Sequence, residues 1–142
     1  MKTFSLKKKQ IKRNWYIIDA SNKILGRFLS RVVIILMGKN KSEYSPHLDN
    51  GDYVIIVNAE KILVTGKKFK EKKYYRHSGY PGGLKSIYFF QLKKKNPEHI
   101  IRLAVKGMLP KNSLGRSIIK KLKIYLGLKH PHQAQNPKYI DI

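Results

Sequence analysis

WYIID at residues 15–19, ILGRFLSRVVIILM at 24–37 and YVIIVN at 53–58 carry the plan of this chain. The first is short, aromatic and β-branched, the composition of a strand. In the second, Leu25, Phe28, Leu29, Val32, Val33 and Leu36 recur at helical spacing, and Gly38 stands where a helix ends. Ile34, Ile35 and Met37 widen that stripe, so the helix is expected to be buried on more than one side. Ser21 and Asn22 read as a cap signal ahead of it. The third stretch is continuously apolar, as in a strand covered on both faces. Strand, buried helix, buried strand is the pattern of a parallel α/β sheet.

Beyond this nucleus, Ala59–Lys61 reads as a turn and Ile62–Thr65 as a further strand. Residues 66–83 form a basic, Tyr- and Gly-rich excursion, expected as an extended or hairpin arm on the surface. Residues 86–92 (SIYFFQL) balance between helix and strand. Asn96-Pro97-Glu98 announces a helix to about Lys106, closed by Gly107. Residues 113–127 read as one amphipathic helix. Leu114, Ile118, Leu122 and Tyr125 lie on one side, with Arg116, Lys120 and Lys123 on the other. One domain, 15–127, is expected between a basic arm, 1–14, and a tail, 128–142. Both extensions are expected to be unordered until partners order them.

Charge says what such a domain meets. Thirty-one Lys and Arg face eight Asp and Glu, a formal charge of +23 on 142 residues, which opposes compaction unless a polyanion neutralises it. From His99 to Ile140 there is no acid. The arm repeats the pattern with Lys7, Lys8, Lys9, Lys12 and Arg13, and Lys67, Lys68, Lys72, Lys73 and Arg76 form a third cluster offset only by Glu71. One such run is an ordinary solvated face; three favour nucleic acid. A hydrophobic content of 42% fits a folded domain rather than a basic tail. The absence of cysteine excludes disulfides, Cys-ligated zinc and a thiol nucleophile. The longest aliphatic run, Val32–Met37, is far short of a membrane span, and the N-terminus carries Lys without an apolar leader segment. No membrane partner, small-molecule substrate or cofactor is expected.

Tyr74, Tyr75, His77 and Tyr80 lie among these cations ahead of Pro81-Gly82-Gly83, where rings can stack on bases while Lys and Arg hold phosphates. A tyrosine-rich hairpin packed on its own sheet explains Tyr74 and Tyr75 equally well. Gly66-Lys67-Lys68 is no P-loop, since Lys61 stands where the first glycine belongs and no Ser or Thr follows. His47, Asp49 and Asp52 define the rival class, a metal-dependent RNA-processing nuclease. Asx-type turns before a strand, with His47 at the surface, account for them better. A free nucleic-acid-binding regulator is the second rival.

AVKGMLPKNSLGRSIIKKLKIYLG (104–127) resembles the signature of the bacterial-type large-subunit ribosomal protein L13 family. KILGR (23–27), GKNKSEYSPHLDNGDYVIIVNAEKI (38–62), VTGKK (64–68), YYRHSGYPGG (74–83) and HPHQAQNP (130–137) resemble the family in the same order, across nearly the whole chain. Residues 4–14 and 86–96 are richer in Lys than the family pattern. The resemblance implies a three-layer α/β/α domain around a four-stranded, mostly parallel sheet. It also implies a non-catalytic role in early large-subunit assembly and translation, in a bacterial-type ribosome, cytoplasmic or organellar. Its partners would be large-subunit ribosomal RNA and neighbouring ribosomal proteins. By position, Lys106, Lys111, Arg116 and Lys120 would contact phosphates. Lys39, Lys41 and His47 would belong to a loop of the family pattern and join the candidate RNA contacts. Lys123, His77 and the clustered cations of the arm and the excursion complete that set.

Overall fold

The computed structural model describes residues 2–142. Trp15–Asp19 forms β1, Leu25–Met37 forms α1 and Tyr53–Val57 forms β2. The two strands are parallel, with Trp15 opposite Tyr53 and Asp19 opposite Val57. Helix α1 ends as expected: Gly38 adopts a left-handed φ of 78°, its N–H meets the Ile35 carbonyl, and the Lys39 N–H reaches back to Ile34. Its start differs. Ser21-Asn22 is a turn, held by the Ser21 N–H donating to Asp19 Oδ1, and the helix enters from Ile24 with no side-chain cap. The Leu25 N–H donates instead to the Leu63 carbonyl. Residues 62–65 accordingly form no strand. They contribute one parallel bridge, Leu63 to Ile24, because only the entry to α1 offers them a backbone partner.

The chain then leaves the sheet through a short helix α2 (Lys68–Glu71) and a hairpin of β3 (Lys73–His77) and β4 (Leu84–Tyr88). Residues 86–92 are split between both candidate states: Tyr88 ends β4, and α3 (Phe89–Lys95) starts where Phe89 enters the core. Helix α4 (Pro97–Met108) is capped by Asn96, whose side chain accepts from the His99 N–H. Gly107 does not close it. That residue sits inside the last turn in open space, and the helix stops at Leu109 because Pro110 disfavours helical backbone in the residue before it.

The largest departure lies in residues 113–127, which are not one helix. Only Ser113–Ile118 is helical, as α5; a 3-10 turn follows at Ile119–Lys121, and Leu122–Ile124 is strand β5, parallel to β2. Leu114, Ile118 and Leu122 satisfy a helical period, but Leu122 and Ile124 equally satisfy a period of two. The open edge of β2 selects the second. The tail, expected to be unordered, supplies β6 (Lys138–Tyr139), parallel to β1. Its end is held by the Ile140 N–H on the Ile17 carbonyl and by Lys23 on Asp141 at 3.0 Å.

The four strands run in the order β5-β2-β1-β6, all parallel, with helices around them, in keeping with the three-layer α/β/α expectation. Ile18, Val54, Ile56, Leu122 and Ile124 share one face, and they bury against Leu29, Val32 and Leu36 of α1 and Ile100, Ile101 and Val105 of α4. On the other face Ile55 is also fully buried. There Trp15 stacks on Tyr53, ring centroids 4.3 Å apart, and His132 lies 5.1 Å from Trp15 and 5.6 Å from Tyr125. The segment joining β5 to β6 therefore crosses this face from one sheet edge to the other.

Two measurements check this arrangement. Gly107→Ala should raise stability in urea by about 0.5–1 kcal/mol, as for glycine inside an ordinary helix; a loss would mean a left-handed terminator instead. Burial, then the charges of Lys123 and His130, hold the His132 pKa below its ordinary 6.5. The unfolded chain therefore takes up the proton first, and stability falls as pH drops through the window beneath 6.5. His132→Gln should flatten that slope, and an unchanged slope would exclude His132 as its source.

Candidate nucleic-acid interface

How the few acids are used determines which cations remain available. Asp52 is fully buried before β2, and its Oδ1 accepts from Lys41 Nζ at 2.8 Å and from the Asn14 N–H at 2.9 Å. Lys41 Nζ also donates to the carbonyls of Lys12 at 2.8 Å and Asn50 at 2.9 Å. Lys121, 4% exposed, donates to the Leu36 carbonyl at the end of α1 at 3.0 Å and is paired with Asp49 Oδ1. Arg13 Nη2 bonds the Asp49 carbonyl at 3.2 Å. Burial pushes the Lys121 ammonium below its ordinary pKa, and Asp49 pushes it back up. The approach requires Gly51, where a Cβ would stand 1.7 Å from the Leu36 oxygen and 2.8 Å from Lys121 Nζ.

This knot joins the N-terminal arm, the end of α1, the loop 38–52 and the turn before β5. It also separates the residues of the rival nuclease. Asp49 and Asp52 make no Asx turns either; Asp49 reaches across the chain to the buried Lys121 and the buried Asp52 is met by Lys41, while His47 stays exposed. Among the described residues, no three His, Cys, Asp or Glu side chains gather where they could share a metal ion.

The remaining candidates divide by element. In the arm and loop, Lys7, Lys8, Lys9, Lys12, Lys39 and His47 are exposed, while Arg13 is exposed but shared with Asp49. Lys41, expected among the RNA contacts, has its ammonium committed to three acceptors inside the protein. Around the hairpin, Lys67, Lys68, Lys72, Lys73, Arg76 and His77 are exposed. Lys72 Nζ lies 5.3 Å over the Tyr74 ring and Lys73 Nζ 4.9 Å over Tyr88. Tyr74 packs against Phe89 and its hydroxyl pKa is raised by burial, so it belongs to the hairpin's base; Tyr75 and Tyr80 stay exposed.

The structure brings a third group into one strip. Lys106, Lys111 and Arg116 line a pocket between the end of α4 and α5, floored by Leu109, Pro110 and Ile119. Ile119 also lines a neighbouring groove of about 490 Å³ with Arg102, Lys120, Lys123 and Tyr125. The two therefore adjoin, and Lys123, half-buried, stands on β5, the edge strand of the sheet. Among the described residues the cations paired with carboxylates are Arg13, Lys23, Lys41 and Lys121; none belongs to this strip. Unpaired exposed cations beside apolar recesses can hold phosphates and accommodate bases.

Sequence reasoning placed Arg102 and Lys121 in the acid-free basic run from His99 to Ile140 but assigned neither a role. Arg102 stands one helical turn before Lys106 on α4, so the spacing of four could have found it. Lys121 gave no signal, because its burial depends on Asp49, 72 positions away.

The family model described as Ribosomal protein L13 matches residues 13–131. A protein of Legionella pneumophila (strain Corby), "Large ribosomal subunit protein uL13", is 57% identical over 142 residues, covering 100% of this chain and 99% of its own length. Proteins of the same name from Thermobifida fusca (strain YX) and Buchnera aphidicola subsp. Schizaphis graminum (strain Sg) are 60% and 58% identical. They cover 96% and 100% of this chain, and 92% and 100% of their own lengths.

The knot predicts an asymmetry. Asp49→Asn removes the counter-charge of the buried Lys121 ammonium, leaving it only neutral acceptors, and should cost about 3 kcal/mol in urea unfolding. Lys121→Met, which keeps the volume and lets the partly exposed Asp49 regain water, should cost less than about 1 kcal/mol. The reverse order would contradict this assignment.

Proposed function

The chain belongs to the ribosomal protein L13 family, and we propose from this that it is a structural component of the large ribosomal subunit that binds its RNA. It acts by binding and positioning, not as an enzyme. The observation that carries the RNA reading is the strip Arg102, Lys106, Lys111, Arg116, Lys120 and Lys123, free of carboxylate partners on a chain whose Asp49 and Asp52 are taken up by Lys121 and Lys41.

Phosphate contacts from this strip fix the position of the core domain, 15–127, on RNA. The exposed cations of the hairpin and of the arm, 1–14, extend the contact, and the tail, 128–142, adds Lys129 and Lys138. Lys41 and Lys121 are left out because their ammonium groups are already bonded. Specificity on A-form RNA then comes from shape and from unpaired regions rather than from a major-groove code. A rigid α/β core with cations on several sides suits a component that joins early in assembly and brings RNA segments together beside neighbouring ribosomal proteins. The bacterial relatives favour a bacterial-type ribosome in the cytoplasm, and among the described residues no helix is long and apolar enough to cross a membrane.

With about eight phosphates contacted, affinity for large-subunit ribosomal RNA should fall roughly ten-thousandfold between about 50 and 200 mM salt. A flat response contradicts phosphate-dominated binding. The protein should also sediment stoichiometrically with salt-washed large subunits, whereas a free regulator would stay in the soluble fraction.

A further inference from the structure

The pocket between α4 and α5 has a volume of about 260 Å³, below the roughly 300–1,000 Å³ of sites for drug-sized ligands. Its floor is apolar, made by buried Leu109, half-buried Ile119 and Pro110. Lys106, Lys111 and Arg116 surround it, all exposed and without side-chain partners among the described residues. Its shape is built into the backbone. Gly115 lies so close to Pro110 that a Cβ would stand 1.9 Å from the carbonyl oxygen, and Asn112 Oδ1 holds the Gly115 N–H at 2.8 Å.

A phosphate alone needs cations and no apolar floor. A splayed-out base needs both: a surface to take its ring, a guanidinium plane to stack on it, and cations for the phosphates on either side. We propose that this pocket receives one unstacked nucleobase of the RNA, with its flanking phosphates on Lys106, Lys111 and Arg116. The proposal rests on the RNA-binding function above and adds a single-nucleotide feature, a bulged or loop base, to recognition by shape.

The test uses the full chain, deproteinised large-subunit ribosomal RNA and two kinds of substitution. Ile119→Phe fills the pocket without changing charge; it should lower affinity about tenfold while leaving the salt slope intact. Lys111→Ala removes one cation and should lower the salt slope by about one. Because Ile119 also touches the core, base-specific methylation of the RNA with the unsubstituted protein provides a reading independent of folding. One unpaired base should become protected. Affinity unchanged in a folded Ile119→Phe, or protection of backbone without any base, overturns the pocket and leaves the RNA-binding function standing. A flat salt response of the unsubstituted protein overturns both.

Discussion

Lys121 sits buried between the end of α1 and the start of β5, and its charge is tolerable there because Asp49 and the Leu36 carbonyl meet it. Desolvating an ammonium costs several kcal/mol unless a counter-ion and hydrogen bonds replace the water. The chain supplies them from a loop 72 positions away, and that same loop buries Asp52 against Lys41 and the backbone of Asn14. One polar knot thus sets where the N-terminal arm enters β1, where α1 stops and where β5 joins the sheet. Gly51 is the spatial condition for all of it, since any side chain there would occupy the Leu36 oxygen.

The same economy shapes the surface. Eight acids cannot neutralise thirty-one cations, and Asp49, Asp52 and Asp141 are engaged with Lys121, Lys41 and Lys23. Exposed Lys and Arg are left to repel one another, a cost that a bound polyanion removes while releasing its counterions. Apolar burial and the knot hold the core together, so the outward cations are free for binding. The strip along α4, α5 and β5 is therefore a consequence of the charge imbalance, and under the proposed function it is where that imbalance meets RNA.

Much of this was legible in the chain. The α1 stripe with Gly38 gave α1 through its helical period, while WYIID and YVIIVN gave β1 and β2 through their short aromatic and β-branched composition. Asn96-Pro97 gave the start of α4 through its own cap. Elements whose state depends on distant partners were not legible. Leu122 and Ile124 fit helix and strand alike until β2 offers an edge, and Lys138-Tyr139 has no strand signal apart from β1 beside it. For the site, the exposed clusters were visible as runs of charge, whereas Lys41 looked like its neighbours and has its ammonium bonded within the protein. Charge in a sequence does not say which way an ammonium faces.

Acylation of lysines with acetic anhydride, read residue by residue by mass spectrometry on the free protein and on salt-washed large subunits, separates interior from surface cations. Lys41 and Lys121 should resist modification in both, while Lys106, Lys111 and Lys120 should react in the free protein and be protected in the particle. Lys121 reacting like Lys120 in the free protein, or the strip remaining as reactive in the particle as outside it, would contradict this account.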